Sequence, residues 1–193
     1  MKSESVSGKL IIFSAPSGAG KTTIVRALAE KFPQLEFSIS ATSRAPRHTE
    51  QHGRDYYFLT PEEFEKACAE DRFVEWEEVY AGTRYGTLKS ELERIWRKGH
   101  VILFDVDVKG GVNLKSIFGE RAMSIFVMPP SIEELRRRLI GRATDAPEVI
   151  EKRVAKAEYE LTFADRFDHI VVNDDLQTAI AEVERLVADF IGA

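Results

Sequence analysis

Phe13-Ser14-Ala15-Pro16-Ser17-Gly18-Ala19-Gly20-Lys21-Thr22-Thr23 is the stretch from which the rest of the chain can be read. The apolar run before it, Leu10-Ile11-Ile12-Phe13, reads as a buried strand, and after it Ile24, Val25, Ala27 and Leu28 recur at helical spacing. Strand, small-residue loop, Lys-Thr and helix form the context of a phosphate-binding P-loop, in which backbone N–H groups cradle phosphates. Lys21 is placed to reach the β- and γ-phosphates, and Thr22 to offer its hydroxyl to Mg2+. The phosphates also meet a helix N-terminus, where orphan amides and the helix dipole favour negative charge. Ala15 stands where the motif has its first glycine. A methyl group is tolerated there if φ stays negative, whereas at Gly18 and Gly20 the backbone itself must approach the anion. A loop of this kind specifies a nucleotide, not a reaction.

The 193 residues suit one sizeable domain, or one core with lobes inserted into it. An apolar share of 44% and a charged share of 31% are ordinary for a soluble globular protein, and a net charge of −5 argues against a general nucleic-acid or acidic-membrane binder. With Cys68 as its one cysteine the chain has no internal disulfide and no cysteine metal cluster, and His48, His52, His100 and His169 show no metal-ligand spacing. The polar N-terminus carries no apolar signal core and no run approaches transmembrane length, so a cytoplasmic protein without a membrane partner is expected.

Working outward from the loop, the pattern predicts a strand at 9–14, a helix at 21–31 stopped by Pro33, and a second strand at 37–40. Ala41 to Arg47 then reads as a polar, basic loop without periodicity. Between Gly53 and Gly86 the pattern is a small α+β insertion. It has an aromatic strand at 56–59, a helix opened by a Thr60–Glu63 capping box with Pro61 at its first position, and a strand from Phe73 to about Tyr80. An amphipathic helix follows at 88–98. Val101-Ile102-Leu103-Phe104-Asp105 is the pattern of a buried parallel strand with a carboxylate at its C-terminal edge, a position that works with the Mg2+ site in P-loop proteins. A short helix at 109–116 and a strand at 123–127 come next. Ser131 and Glu134 cap a basic helix, a charged helix runs from 148 to about 163, and a strand at 169–172 precedes a last amphipathic helix to Phe190. Strands alternating with helices imply a parallel α/β sheet, with ligand across the C-terminal ends of its strands.

Two segments break that rhythm, 40–87 and 136–157, and both are rich in phosphate-compatible groups. If the phosphate acceptor is itself a phosphate, it needs a second cationic clamp, for which Arg44 and Arg47 with the hydroxyls of Tyr56 and Tyr85 are suited. Arg138, Arg142 and Arg153 have the character of mobile arginines that cover the donor phosphates when a lid closes, while Arg136 and Arg137 read as solvated surface. Glu75 has two readings. A strand carboxylate can accept two N–H bonds at once from guanine, which adenine cannot supply, or it is an exposed strand glutamate like Glu77 and Glu78.

Taken together, Ser14–Thr23, Ser40–Arg47, Gly53–Phe58, Phe73–Trp76, Tyr85-Gly86-Thr87, Asp105-Val106-Asp107, Arg138 to Arg142 and Val172-Asn173-Asp174-Asp175 resemble the guanylate kinase family, in order and over nearly the whole chain. The resemblance implies transfer of phosphate from ATP to GMP, giving ADP and GDP, with Mg2+. It also implies an α/β fold: a P-loop NTPase parallel sheet core flanked by helices, with an inserted α+β GMP-binding lobe and a helical lid. On this chain the core is expected at about 9–40, 88–130 and 158–193, the lobe at about 41–87 and the lid at about 131–157.

Carried over position by position, the resemblance gives Ala15, Pro16, Ser17, Gly18, Ala19, Gly20, Lys21, Thr22 and Thr23 to the ATP phosphates, and Asn173 and Asp174 to the adenine end. Arg44, Arg47, Tyr56 and Tyr85 fall on the GMP phosphate, and Ser40, Glu75 and Thr87 on the guanine base. Asp105 and Asp107 match strand-end acids that organise the GMP-site arginine and the water shell of the metal. Thr22 is the direct metal ligand, with Asp105 acting through water. Lys21, Arg44, Arg138, Arg142 and Arg153 match the transfer machinery. The match favours the base-reading role for Glu75.

Two departures stand out. The turn between Glu75 and Tyr85 is one residue longer than the family pattern, with Arg84 where an aromatic is expected, and Ala143 replaces a glycine after Arg142. The alternative reading is a catalytically silent guanylate-kinase-like binding module, in which a degraded P-loop would be expected. A GTPase would need an Asn-Lys-x-Asp guanine signature, which this sequence does not contain.

Overall fold

The computed structural model describes residues 8–80, 82–141 and 146–192. The chain packs as two compact units, one of Lys9–Leu35 with the described residues from Leu103 on, and one of Glu36–Ile102 with Gly8. In chain order the elements are β1 (Leu10–Ser14), α1 (Lys21–Lys31), β2 (Leu35–Phe37), β3 (Ala41–Thr42), β4 (Tyr57–Phe58) and α2 (Pro61–Ala69). Then come β5 (Phe73–Tyr80), β6 (Thr83–Leu88), α3 (Lys89–Trp96), β7 (Val101–Asp105) and α4 (Val108–Phe118). The chain ends with β8 (Ala122–Met128), α5 (Ile132–Gly141), α6 (Pro147–Leu161), β9 (His169–Val172) and α7 (Leu176–Ile191).

The loop-bearing unit is built on a five-stranded sheet of order β2-β7-β1-β8-β9. Every residue of β1 is buried, as a parallel strand covered on both faces requires, and β1 and β9 pair in parallel with β8 on either side of it. The strands' C-terminal ends carry the P-loop after Ser14, Asp107 two residues after β7, and Asn173 directly after β9. The hydrophobic faces of α5 and α6 close on each other through Leu135, Leu139, Ile150, Val154 and Ala157. Ser131 caps α5 by accepting from the Glu134 amide at 3.1 Å, as its spacing predicts, while the Glu134 carboxylate is engaged by Arg137 and Arg138.

The inserted unit holds a four-stranded sheet of order β4-β3-β6-β5, with α2 and α3. Its core is Ala41, Phe64, Ala67, Phe73 and Leu88, against which the half-buried Cys68 packs, and the rings of Phe64 and Phe73 stack at 4.5 Å. The capping box forms in full: the Thr60 hydroxyl accepts from the Glu63 amide at 3.1 Å, and the Glu63 carboxylate accepts from the Thr60 amide at 2.8 Å.

Two expectations fail here. The strand expected at 37–40 is not one: β2 ends at Phe37 and β3 begins at Ala41. In between, the Ile39 amide donates to the Glu91 carboxylate at 3.0 Å and the Ser40 carbonyl accepts from Tyr57 at 2.9 Å. The alternation of apolar and polar residues was real, but one amide in it is satisfied by a side chain rather than by a ladder. The adjoining Ala41-Thr42, expected in a polar loop, is a strand and fully buried. It is the middle strand of a trio, paired with Tyr57-Phe58 on one side and Tyr85-Gly86 on the other.

Candidate active site

The phosphate loop turns on two glycines. Gly18 and Gly20 adopt φ of 98° and 97°, the left-handed region in which a side chain is strained. At Gly20 space also forbids one, since a Cβ would lie 2.2 Å from Nδ2 of Asn173. Among the described residues Asp71 is the one non-glycine at positive φ, so Ala15 sits outside the left-handed region and its methyl group meets no backbone strain of that kind.

Residues Ala15 to Gly18 and Gly20 to Thr23 line a cavity of about 380 Å³ together with Asp105 and Asp107. Lys21 forms an ion pair with Asp105, and its ammonium donates to the Val106 carbonyl at 3.3 Å. The Ser14 hydroxyl lies 3.0 Å from the carbonyls of both Val106 and Asp107, tying the strand end of β1 to the turn after β7. Asp107 itself caps α4, its carboxylate accepting from the Gly110 amide at 2.8 Å. Lys21 and Asp107 beside the loop are thus each held by a backbone contact, and Asp105 by its ion pair with Lys21.

Arg153 on α6 donates to the Ser17 hydroxyl at 3.3 Å, which brings it onto the loop. Arg138 on α5 is held by Glu134 at 2.8 Å and reaches the Asp174 carbonyl at 3.5 Å. Arg136 and Arg137 pair with Glu151 and Glu134 at the surface. Arg142 and Ala143 lie outside the described residues. Asp174 is exposed, but Asn173 is 4% exposed and donates to the Ala19 carbonyl at 2.7 Å. Asn173 thus supports the loop backbone, a partner its place after the last strand did not announce.

Two residues of this cavity escaped the sequence reading, Lys156 and Glu160. They fall three and seven positions after Arg153, on one stripe of α6, and that spacing was the signal available. Burial raises the Glu160 carboxyl above its usual range, and the Lys156 ammonium 3.5 Å away relieves this only in part.

In the inserted unit, strand register assembles the second set. Glu75 pairs opposite Thr87 and Glu77 opposite Tyr85, so Glu75, Tyr85 and Thr87 share one sheet face while Trp76 and Gly86 take the other. The Thr87 hydroxyl, buried, donates to the Glu75 carboxylate at 2.7 Å. Arg44 lies over the rings of Tyr56 and Phe58, 5.0 and 5.6 Å from their centroids, and its Nε donates to the Tyr85 hydroxyl at 3.1 Å. Tyr56 meets Tyr85 edge to face at 5.8 Å. Of the expected clamp, Arg44, Tyr56 and Tyr85 come together. Arg47 is exposed and contributes its amide, which donates to Glu50 at 2.8 Å, and Ser40 contributes its carbonyl to Tyr57.

Glu50 was not foreseen. Its two oxygens accept from Nη1 and Nη2 of Arg44 at 2.6 and 2.7 Å, a fork-on-fork pair. The Arg44 guanidinium, and after it the Arg47 amide, pull the Glu50 carboxyl down to about 2. Glu50 in turn raises the Arg44 pKa, against a smaller opposing effect of burial and with help from Tyr85.

A family model described as guanylate kinase matches residues 7–190. The chain belongs to the guanylate kinase family. Curated guanylate kinases resemble it along nearly their whole length. The one from Bacteroides thetaiotaomicron is 59% identical over 96% of this chain and 91% of the relative, and the one from Porphyromonas gingivalis is 54% identical over 95% and 98%. Among solved structures, a guanylate kinase from Anaplasma phagocytophilum matches with a TM-score of 0.70 and 31% identity over 94% of this chain and 85% of that one. The fold is that of a guanylate kinase: an α/β, P-loop NTPase core of parallel strands flanked by helices.

Proposed function

We propose that this chain transfers the γ-phosphate of ATP to GMP, giving ADP and GDP. The observation that carries the reading is one sheet face on which the Glu75–Thr87 pair stands beside the Arg44–Tyr85 pair. Guanine offers an N1–H and an N2–H side by side, and a carboxylate accepts both, whereas adenine leaves that carboxylate unsatisfied. Arginine and tyrosine next to it suit the 5′-phosphate of the same nucleotide. Residues 41–87 act as the acceptor lobe, 131–157 as the lid, and the remainder of the chain as the donor core.

In the reaction an oxygen of the GMP phosphate attacks the γ-phosphorus, and the bond to the β–γ bridging oxygen breaks, leaving ADP. Loop amides and Lys21 hold the β- and γ-phosphates, with Arg153 and Arg138 adding positive charge from the lid and Arg142 assigned to the same task. Asn173 serves the donor by fixing Ala19 and Gly20, and Asp174 borders the adenine. Arg44, Arg47, Tyr56 and Tyr85 orient the acceptor phosphate, and Ser40, Thr87 and Glu75 its base.

The donor set fits Mg2+. Among the described residues no cluster of acidic and imidazole ligands could cage a cation, but Thr22 lines the same cavity as Asp105 and Asp107. One hydroxyl with carboxylates beyond it suits an ion that keeps several waters and takes phosphate oxygens. Thr22 would bind it directly and Asp105 through water, with Asp107 completing the water shell. When bound, Mg2+ neutralises charge on the β- and γ-oxygens.

Small-molecule nucleotides are the partners in this reading, in the cytoplasm. The net charge of −5 speaks against a nucleic-acid surface, and none of the described helices is long and apolar enough to cross a membrane. A coupled assay with GMP, AMP, UMP and dGMP tests the assignment, with turnover expected for GMP well above AMP and UMP. Comparable rates with AMP would remove the role of Glu75. GMP binding without any turnover would instead identify a silent binding module.

A further inference from the structure

We propose that Glu50 is the positioning residue of the acceptor-phosphate clamp, setting the orientation of Arg44 and the path of the loop that carries Arg47. This rests on the reading that Arg44 and its neighbours meet the phosphate of GMP.

The Arg44 guanidinium has five N–H donors. Nε–H goes to the Tyr85 hydroxyl at 3.1 Å, Nη1 donates to Glu50 at 2.6 Å and to the Ala45 carbonyl at 3.0 Å, and Nη2 donates to the other Glu50 oxygen at 2.7 Å. Four of five N–H groups thus have acceptors among the described residues, and one on Nη2 remains to meet an incoming oxygen. Aromatic faces of Tyr56 and Phe58 fix the plane of the same guanidinium. A planar fork held at both edges and on its face has one orientation. An arginine without the carboxylate would keep the stacking but could slide and rotate over the rings.

Glu50 also acts on the backbone. The Arg47 amide donates to its carboxylate at 2.8 Å, and its own amide donates to the Arg47 carbonyl at 3.0 Å, so the turn of residues 47–50 closes on both sides. One side chain therefore ties together a guanidinium, a turn and the segment between them. The opposing effect is repulsion between this carboxylate and a phosphate dianion. The Arg44 and Glu50 side chains are only 16% and 17% exposed, so the guanidinium lies against the carboxylate and offsets most of the charge a phosphate would meet, through contacts that are direct and bidentate. Positioning should therefore outweigh repulsion.

The test compares Glu50→Gln and Glu50→Asp with the unmodified chain, using calorimetry with GMP and with guanosine, and steady-state kinetics for both substrates. Glu50→Gln keeps the shape but loses half of the fork, and should weaken GMP binding by about tenfold or more. Guanosine binding and the KM for ATP should stay within about twofold. Glu50→Asp, which keeps the charge, should recover part of the loss, and it carries the test if the Gln variant fails to fold. GMP binding by Glu50→Gln equal to or tighter than that of the unmodified chain would show that Glu50 competes with substrate, and would overturn the proposal. A parallel loss of GMP and guanosine would reduce Glu50 to a structural residue, again overturning it. If the unmodified chain binds GMP without turning it over, the transferase reading fails while the binding data still decide the role of Glu50. A chain that binds no GMP at all overturns both.

Discussion

The Thr87 hydroxyl donates to the Glu75 carboxylate at 2.7 Å, across a strand pair whose register sets the two residues opposite each other. In the proposed reading, this buried hydroxyl aims a half-buried carboxylate at the guanine base and fixes the acceptor before the nucleotide arrives. Glu75→Gln replaces one acceptor by a donor, which faces the N–H edge of guanine with the wrong polarity. GMP affinity should fall by about tenfold to a hundredfold, while ATP affinity is unchanged. Calorimetry with each nucleotide decides it, and equal losses for both would assign Glu75 to folding instead.

Lys21 pairs with Asp105 at the mouth of the phosphate loop. In the proposed reaction its ammonium follows the charge that develops on the transferred group, so Lys21→Ala should lower kcat by about a hundredfold or more, with little change in the melting temperature. Single-turnover kinetics alongside thermal melting separate the two effects. Unchanged turnover would mean that the loop does not bind the donor phosphates.

Asn173 is 4% exposed and holds the Ala19 carbonyl at 2.7 Å. Asn173→Ala leaves that acceptor without its side-chain partner and opens space beside Gly20. It should cost about 1–3 kcal/mol of stability and raise the KM for ATP while leaving the KM for GMP unaltered. Denaturant unfolding and substrate-resolved kinetics measure both. A rise in the KM for GMP alone would contradict this placement.

Glu36 offers a pH test within the inserted unit. Burial works to raise its carboxyl, but hydrogen bonds from Lys98, Arg94 and His100 outweigh burial and bring it down to about 2 from an ordinary 4.5. Between those two values the unfolded chain binds more protons than the folded one. The stabilisation from Glu36 is therefore complete above about pH 4.5 and is lost as pH falls towards 2. Melting temperatures of the unmodified chain and of Glu36→Gln should differ most near neutrality and converge in acid. A constant gap down to pH 2 would show that the network does not lower this carboxyl.

What could be read from residue order was whatever the chain builds from near neighbours. The Thr60–Glu63 cap, the P-loop with its two left-handed glycines and the buried runs of β1 and β7 are all properties of a few consecutive residues. The strand expected at 37–40 misled because its alternation was genuine, while the Ile39 amide takes its acceptor from Glu91, 52 positions on. The Glu91 carboxylate, 1% exposed as a residue, also accepts from Tyr57 at 2.8 Å and from Arg94. Local composition cannot show a buried charge of that kind, since an exposed helix glutamate looks the same.

The sequence by itself determined the family, the α/β core and the P-loop motif with its two glycines, because these rest on motifs whose geometry is local. Only the tertiary structure decided that Glu75 stands opposite Thr87 and on the face of Tyr85, since that depends on strand register. It also decided that Arg44 is carried by Glu50, that Asn173 props the loop and that Lys156 and Glu160 face the donor cavity. Each of these is a contact between side chains brought together by packing. The energy of such a contact depends on distance and burial, and neither is written in the spacing of residues along the chain.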